Sequence, residues 1–143
     1  MPTFKNILCA IDYSSCSRHA LTAATELAKS SGAALTIVHV WSPPTYGAPD
    51  AILSGEAIQV MAQDAERLLA DWVATAKADG ASTVTSKMIT GVAWNAIVAL
   101  SVESHTDLIV MGTHGRTGLK HALIGSVAEK VVRHAPCAVL VIR

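Results

Sequence analysis

The stretch "MGTHGRTGLKHALIGS", residues 111–126, gathers Gly112, Gly115, Gly118 and Gly125 with His114, Arg116, Lys120 and His121, directly after the apolar run Asp107-Leu-Ile-Val-Met111. Glycine surrenders the most backbone freedom on folding, so a cluster of this kind marks tight turns or a backbone that must come close to something. A strand ending near Gly112 and a helix starting near Gly125-Ser126 would point unpaired backbone N–H groups, at the positive end of a helix dipole, into the loop between them. Phosphate suits such a place. Arg116 and Lys120 would add charge from the loop itself. No Gly-Lys-Ser/Thr follows, so this is not a P-loop, and no GxGxxG dinucleotide fingerprint follows the first strand. Ser126-Val-Ala-Glu129 also reads as a capping box, in which Ser126 accepts from the Glu129 amide. That structural role would explain Ser126 and Glu129, but not a glycine-rich entry from a strand.

The other residues able to do chemistry are fewer. Asp12 closes the apolar run "NILCAI" and precedes "YSSCS", so its carboxylate can accept from a ligand amine or hydroxyl, or cap the helix that follows. His114 and His121 lack a second ligand at metal spacing and read as loop histidines, while His39, inside "TIVHVW", reads as a hydrogen-bonded core or edge histidine. Cys9, Cys16 and Cys137 form no CxxC pair and suggest neither a disulfide framework nor a zinc site. Cys9 and Cys137 read as small hydrophobes, and Cys16 falls in the first turn of a helix, where backbone amides could lower its pKa.

These residues need elements to hold them. "NILCAI" is a buried strand; a helix over about 15–30 follows, with Ala20, Leu21, Ala24, Leu27 and Ala28 on one face and Gly32 as its stop. "ALTIVHVW" is a second strand, and its near-continuous hydrophobicity suggests burial on both faces. The Pro- and Gly-rich segment 42–50 is a loop. Apolar residues at Ile58, Met61, Ala62, Ala65, Leu68, Leu69, Trp72, Val73 and Ala76 mark a long helix over about 54–77 with a core-facing stripe. "STVTSKMIT" alternates like an edge strand; a helix around 94–104 turns Ile97 and Leu100 inward; "DLIVMG", a helix from Ser126 to about His134, and "CAVLVIR" complete the chain. Strand and helix alternate throughout, with crossovers long enough for parallel pairing. The expected fold is one α/β domain over residues 1–143, a parallel sheet with helices on both faces. Ligands of such sheets bind beyond the carboxyl ends of the strands where strand order reverses, which here means Asp12, Val40-Trp41 and Met111-Gly112.

Composition narrows the partners. The 143 residues are 51% hydrophobic but only 4% aromatic, and 11 basic side chains balance 11 acidic ones, so no overall field draws in nucleic acid or an anionic membrane. No apolar run approaches the ~20 residues of a membrane span, and the opening residues do not form a secretory signal. The sequence therefore points to a cytoplasmic location.

Gly112-x2-Gly115-x9-Gly125-Ser126, preceded by "DLIVMGTHG" and followed by "EKVVRHAPCAVLVIR", resembles the ATP-binding signature of the universal stress protein family. "NILCAIDYSSCSRHAL" and "HVW" match that family as well, so the resemblance covers essentially the whole chain. It implies a Rossmann-like five-stranded parallel sheet in the order 3-2-1-4-5, a homodimer joined through the last strand, Cys137 to Arg143, and one adenine nucleotide per subunit. By position, Asp12 and Val40 would meet the adenine, Ala10 and Gly112 would flank the ribose, and Met111, Gly115, Gly125, Ser126 and Val127 would hold the phosphates, with His114 inside the same motif. Two positions depart from the family pattern: Ala10 stands where relatives often carry proline or valine, and Ala128 where some carry a threonine hydroxyl.

The function expected from this resemblance is a nucleotide-responsive regulatory dimer that takes ATP with Mg²⁺ and presents itself to a protein partner. Near the loop only Asp12, Arg116 and Lys120 could serve phosphoryl transfer, too few for a dedicated kinase or ATPase, although slow hydrolysis is compatible with them. Two alternatives remain open: a nucleotide-free dimeric adaptor, and an enzyme of the related adenine-nucleotide α-hydrolase group. The latter typically carries a Ser-Gly-Gly-x-Asp-Ser loop after the first strand, and "AIDYSSCS" lacks those glycines.

Overall fold

A computed structural model describes residues 3–42, 54–114 and 124–143. Five strands, β1 (Asn6–Ile11), β2 (Ala34–Trp41), β3 (Val84–Thr90), β4 (Leu108–Gly112) and β5 (Ala138–Ile142), alternate with four helices, α1 (Ser15–Ser31), α2 (Gly55–Ala78), α3 (Ala93–Glu103) and α4 (Ser126–His134). All strand pairs are parallel, in the order β3-β2-β1-β4-β5. The fold is therefore the expected single-sheet Rossmann-like arrangement, with β3 and β5 at its edges. Order reverses between β1 and β4, which pair from Ile7↔Leu108 to Ala10↔Met111, so Asp12 and Gly112 emerge side by side.

The period-two alternation of strand side chains sorts the core into two layers. Ile7, Cys9 and Ile11 of β1 join Leu35, Ile37, Leu108 and Val110 under α1 and α2. Leu8 and Ala10 join Val38, Ile109 and Met111 under α3 and α4. Continued by one step, the alternation puts Asp12 on the α3/α4 side and Tyr13 on the α1/α2 side, where Tyr13 packs against the first layer.

Helix ends follow local chemistry. Ser14 is the N-cap of α1 and accepts from the Ser17 amide, and Gly32 ends that helix in the left-handed region at φ 71°. At α2 the structure departs from the expected stripe. Leu69, Trp72 and Ala76 are buried, but Met61 is 42% and Leu68 43% exposed, and no residue before Leu69 is buried. The reason is length: the 24 residues of α2 span about 36 Å, whereas the seven residues of β3 beneath it span about 23 Å. The helix outruns the sheet, and an apolar period records only the part that lies on it.

Candidate functional site

A cleft of about 790 Å³, counting the part open to solvent, lies at the carboxyl ends of β1, β2 and β4 on the α3/α4 side. Ala10, Asp12, Val40, Met111, Gly112, His114, Gly125, Ser126 and Val127, nine of the ten positions singled out from the sequence, line it together. The tenth, Gly115, lies outside the described residues, as do Arg116, Gly118, Lys120, His121 and the 43–53 part of the second loop. Sequence reasoning missed Ile11, Ser17, Val38, Ala93, Ile97 and Thr113, which complete the wall together with Ala128, singled out there as a departure from the family pattern. Val38 was within reach, since it shares a strand face with Val40; Ala93 and Ile97 come from α3, whose position relative to the cleft no local pattern gives.

The cleft joins an apolar wall to two polar features. Val38, Val40, Ala10, Ile97 and Met111 form a surface suited to a flat, weakly polar ring. Asp12, just after β1 and so between β2 and β4, is tightly set. Its Oδ1 accepts from the Ser17 hydroxyl at 2.6 Å and from the Ser14 amide at 3.0 Å, while its own amide donates to Ser17 Oγ at 2.9 Å. Asp12 therefore does not cap α1, as one sequence reading allowed; Ser14 does, and Asp12 braces that cap from a turn two residues earlier.

Beyond β4, where Gly125 meets Thr113, α4 begins. Its N-cap is Gly125, not Ser126, so the expected capping box is not formed: the Glu129 amide donates to the Gly125 carbonyl at 2.9 Å, and the Glu129 carboxylate pairs with Arg133 one turn on. The box requires Ser126 outside the helix in an extended conformation, whereas Ser126 is already the first helical residue. A glycine cap brings no side chain to the first-turn amides, and a helix start in that condition favours an anion. His114 stands beside it, its Nδ1 hydrogen-bonded to Thr113 Oγ1 at 3.0 Å.

The glycines have an internal reason as well. A Cβ on Gly112 would stand 2.7 Å from Cys16 Cβ and 2.9 Å from the Cys16 carbonyl carbon, where the first turn of α1 crosses the end of β4. A Cβ on Gly125 would stand 2.7 Å from the Thr113 carbonyl oxygen, which accepts from the Gly125 amide as the loop closes on the strand. Both glycines let protein meet protein before any ligand is considered. His39 is satisfied, as expected: it is buried, and its Nδ1–H donates to the Ile11 carbonyl at 3.0 Å. Cys9 is fully buried, and burial pushes its thiol pKa up to about 12. All three cysteines are free thiols.

One backbone feature had no signal in the sequence. Tyr13 has φ 64°, a left-handed conformation that costs a residue with a side chain roughly 1–2 kcal/mol. Its surroundings hold it there: the hydroxyl donates to the Ala65 carbonyl of α2 at 3.0 Å, and the ring lies 4.5 Å from His39 and edge-on to Trp72 at 5.4 Å.

Residues 3–143 match the universal stress protein family. The chain belongs to that family. A Staphylococcus haemolyticus protein carrying the universal stress protein name is 35% identical over the whole of this chain and 87% of its own length. Among solved structures, universal stress protein UspA from Lactobacillus plantarum superposes with a TM-score of 0.87 at 28% identity, each chain covered in full. A universal stress protein crystallised in complex with cAMP superposes with a TM-score of 0.76 at 26% identity, covering 99% of both chains.

Proposed function

We propose that this universal stress protein binds an adenine nucleotide, ATP in the first place, in the cleft between Asp12 and the start of α4, and works as a nucleotide-responsive regulatory dimer in the cytoplasm. The observation that carries the reading is the chemistry set across one cleft: apolar Val38 and Val40 on β2, a braced carboxylate after β1, then a glycine-capped helix start beyond β4. An adenine nucleotide offers a flat base, donor groups on base and sugar, and an anionic phosphate in the same order. A structural relative crystallised with cAMP, itself an adenine nucleotide, supports it. Among the described residues no group of three His, Cys, Asp or Glu side chains could hold a metal. Mg²⁺ would therefore be held by phosphate oxygens and water, the ion's usual habit with nucleotides. Turnover is at most slow on this reading, because among the described residues Asp12 is the one carboxylate in the lining, and it already accepts two hydrogen bonds.

Dimerisation enters through β5. It is an edge strand whose Leu140 is 36% exposed, and antiparallel pairing with a second copy would close that edge. No helix among the described residues is long and apolar enough to cross a membrane, and three free thiols suit a reducing compartment.

A nucleotide-free adaptor is favoured by one observation: Gly112 and Gly125 are both required by internal packing, so neither needs a ligand to explain it. Mass spectrometry of small molecules retained on purification, followed by calorimetric titration of ATP and Mg²⁺ into emptied protein, separates the two. Micromolar or tighter binding is expected. Failure of ATP, ADP, AMP and cAMP alike to bind would leave the adaptor.

A further inference from the structure

The apolar slot, the helix start and the Asp12 carboxylate belong to the binding reading already given; the Tyr13 cluster does not. Asp12 and Tyr13 are adjacent in sequence but serve opposite faces of the sheet. Asp12 lines the cleft on the α3/α4 side, and Tyr13 packs into the α1/α2 layer. Both flanks of Asp12 are tied down from that second layer. On one side the Ile11 carbonyl receives the His39 Nδ1–H, and on the other the left-handed Tyr13 is fixed by the Ala65 carbonyl, the His39 ring and the Trp72 ring. Trp72 is itself buried, with the Arg18 guanidinium over its ring, 3.8 Å from the centroid. The first half of α2 has no buried residue, so the Tyr13 hydroxyl bond to Ala65 is an anchor between that half and the body of the protein.

We infer that Tyr13 is a positioning residue, a strut through which α2, on the far side of the sheet, sets the Asp12 carboxylate in the nucleotide cleft. The inference rests on the nucleotide reading. Left to itself, a tyrosine backbone leaves the left-handed region, and a change of φ at residue 13 swings the peptide unit joining it to Asp12. The anchors on α2 and β2 prevent this. In consequence Asp12 presents one geometry to a ligand donor, and displacement of α2 changes affinity without touching the cleft.

The test is calorimetric titration of AMP into wild type, Tyr13→Phe, Tyr13→Gly, Asp12→Asn and the two double variants, each first checked by its thermal melt. Tyr13→Gly permits the left-handed backbone but removes every anchor made by the Tyr13 side chain, and is expected to weaken AMP about tenfold; Tyr13→Phe keeps the packed ring and loses the hydroxyl bond, and is expected to weaken it about threefold. In the Asp12→Asn background neither change should weaken AMP further, because the strut acts through that carboxylate. A loss of packing alone would give the same loss in both backgrounds. Equal AMP affinity in wild type and both Tyr13 variants, or losses that multiply fully with Asp12→Asn, would overturn the strut while leaving the nucleotide reading intact. Wild type that binds none of AMP, ADP, ATP and cAMP would overturn both. Should Tyr13→Gly not fold, the cycle of Tyr13→Phe with Asp12→Asn decides alone.

Discussion

Gly125 shows how two demands can meet in one residue. Its missing side chain leaves room for the Thr113 carbonyl, and its place as the N-cap of α4 leaves first-turn amides to an anion. Gly125→Val is therefore expected to do more than shield the ligand: it should prevent the loop from closing on β4, lowering the melting temperature and abolishing ATP binding together. Asp12→Ala should instead weaken ATP by about tenfold to a hundredfold, the loss of one or two hydrogen bonds to a charged group. Calorimetry beside a thermal melt distinguishes the two. At Cys9 the sign of the pH effect is fixed by the raised pKa. Below about pH 8.5 the thiol is protonated in both folded and unfolded chains and contributes no pH dependence; above it the unfolded thiol ionises while the folded one does not, so stability falls as pH rises from 9 toward 12. Cys9 should also resist thiol reagents in the native protein at pH 8, read as labelling stoichiometry before and after denaturation.

At the scale of elements, α2 divides into a docked half and an overhang. Trp72→Ala, in the docked half, should cost about 3–5 kcal/mol in chemical denaturation, the range for removing a buried aromatic, whereas Leu68→Gln, on a side chain 43% exposed, should stay within about 1 kcal/mol. The element order was legible because each strand is a short apolar run and each helix carries a 3.6-residue period; Gly32 and Ser54 mark helix ends in both sequence and structure. The buried extent of α2 was not legible. An apolar period says which way a helix faces and nothing about how long the surface beneath it is. The cleft was legible at its strand ends, because the reversal point of a parallel sheet follows from its order, and Asp12, Met111 and Gly112 end the strands concerned. Its α3 wall and the left-handed Tyr13 were not, since both are set by packing between segments distant in the chain. Ser126 is instructive: the helix starts there as read from the sequence, but its cap is Gly125, which sits against Thr113, so the capping-box pattern is present and unused.

The whole molecule is a sheet with two unlike sides, and the cleft at its carboxyl edge opens on the α3/α4 side. If β5 pairs with a second copy, Leu140→Glu should shift the molar mass measured by light scattering from dimer to monomer, since an exposed edge residue turned into a charge repels its twin across the interface. An unchanged mass would place the contact elsewhere. The overhang of α2 has a further consequence for how such a protein ends its life. Proteases cut chain that can leave its helix, and roughly the first three turns of α2 have no buried side chain to hold them down. A limiting dose of protease should cut there while the parallel sheet stays whole, and a ligand that steadies Tyr13 from the cleft should slow that cut from the opposite face.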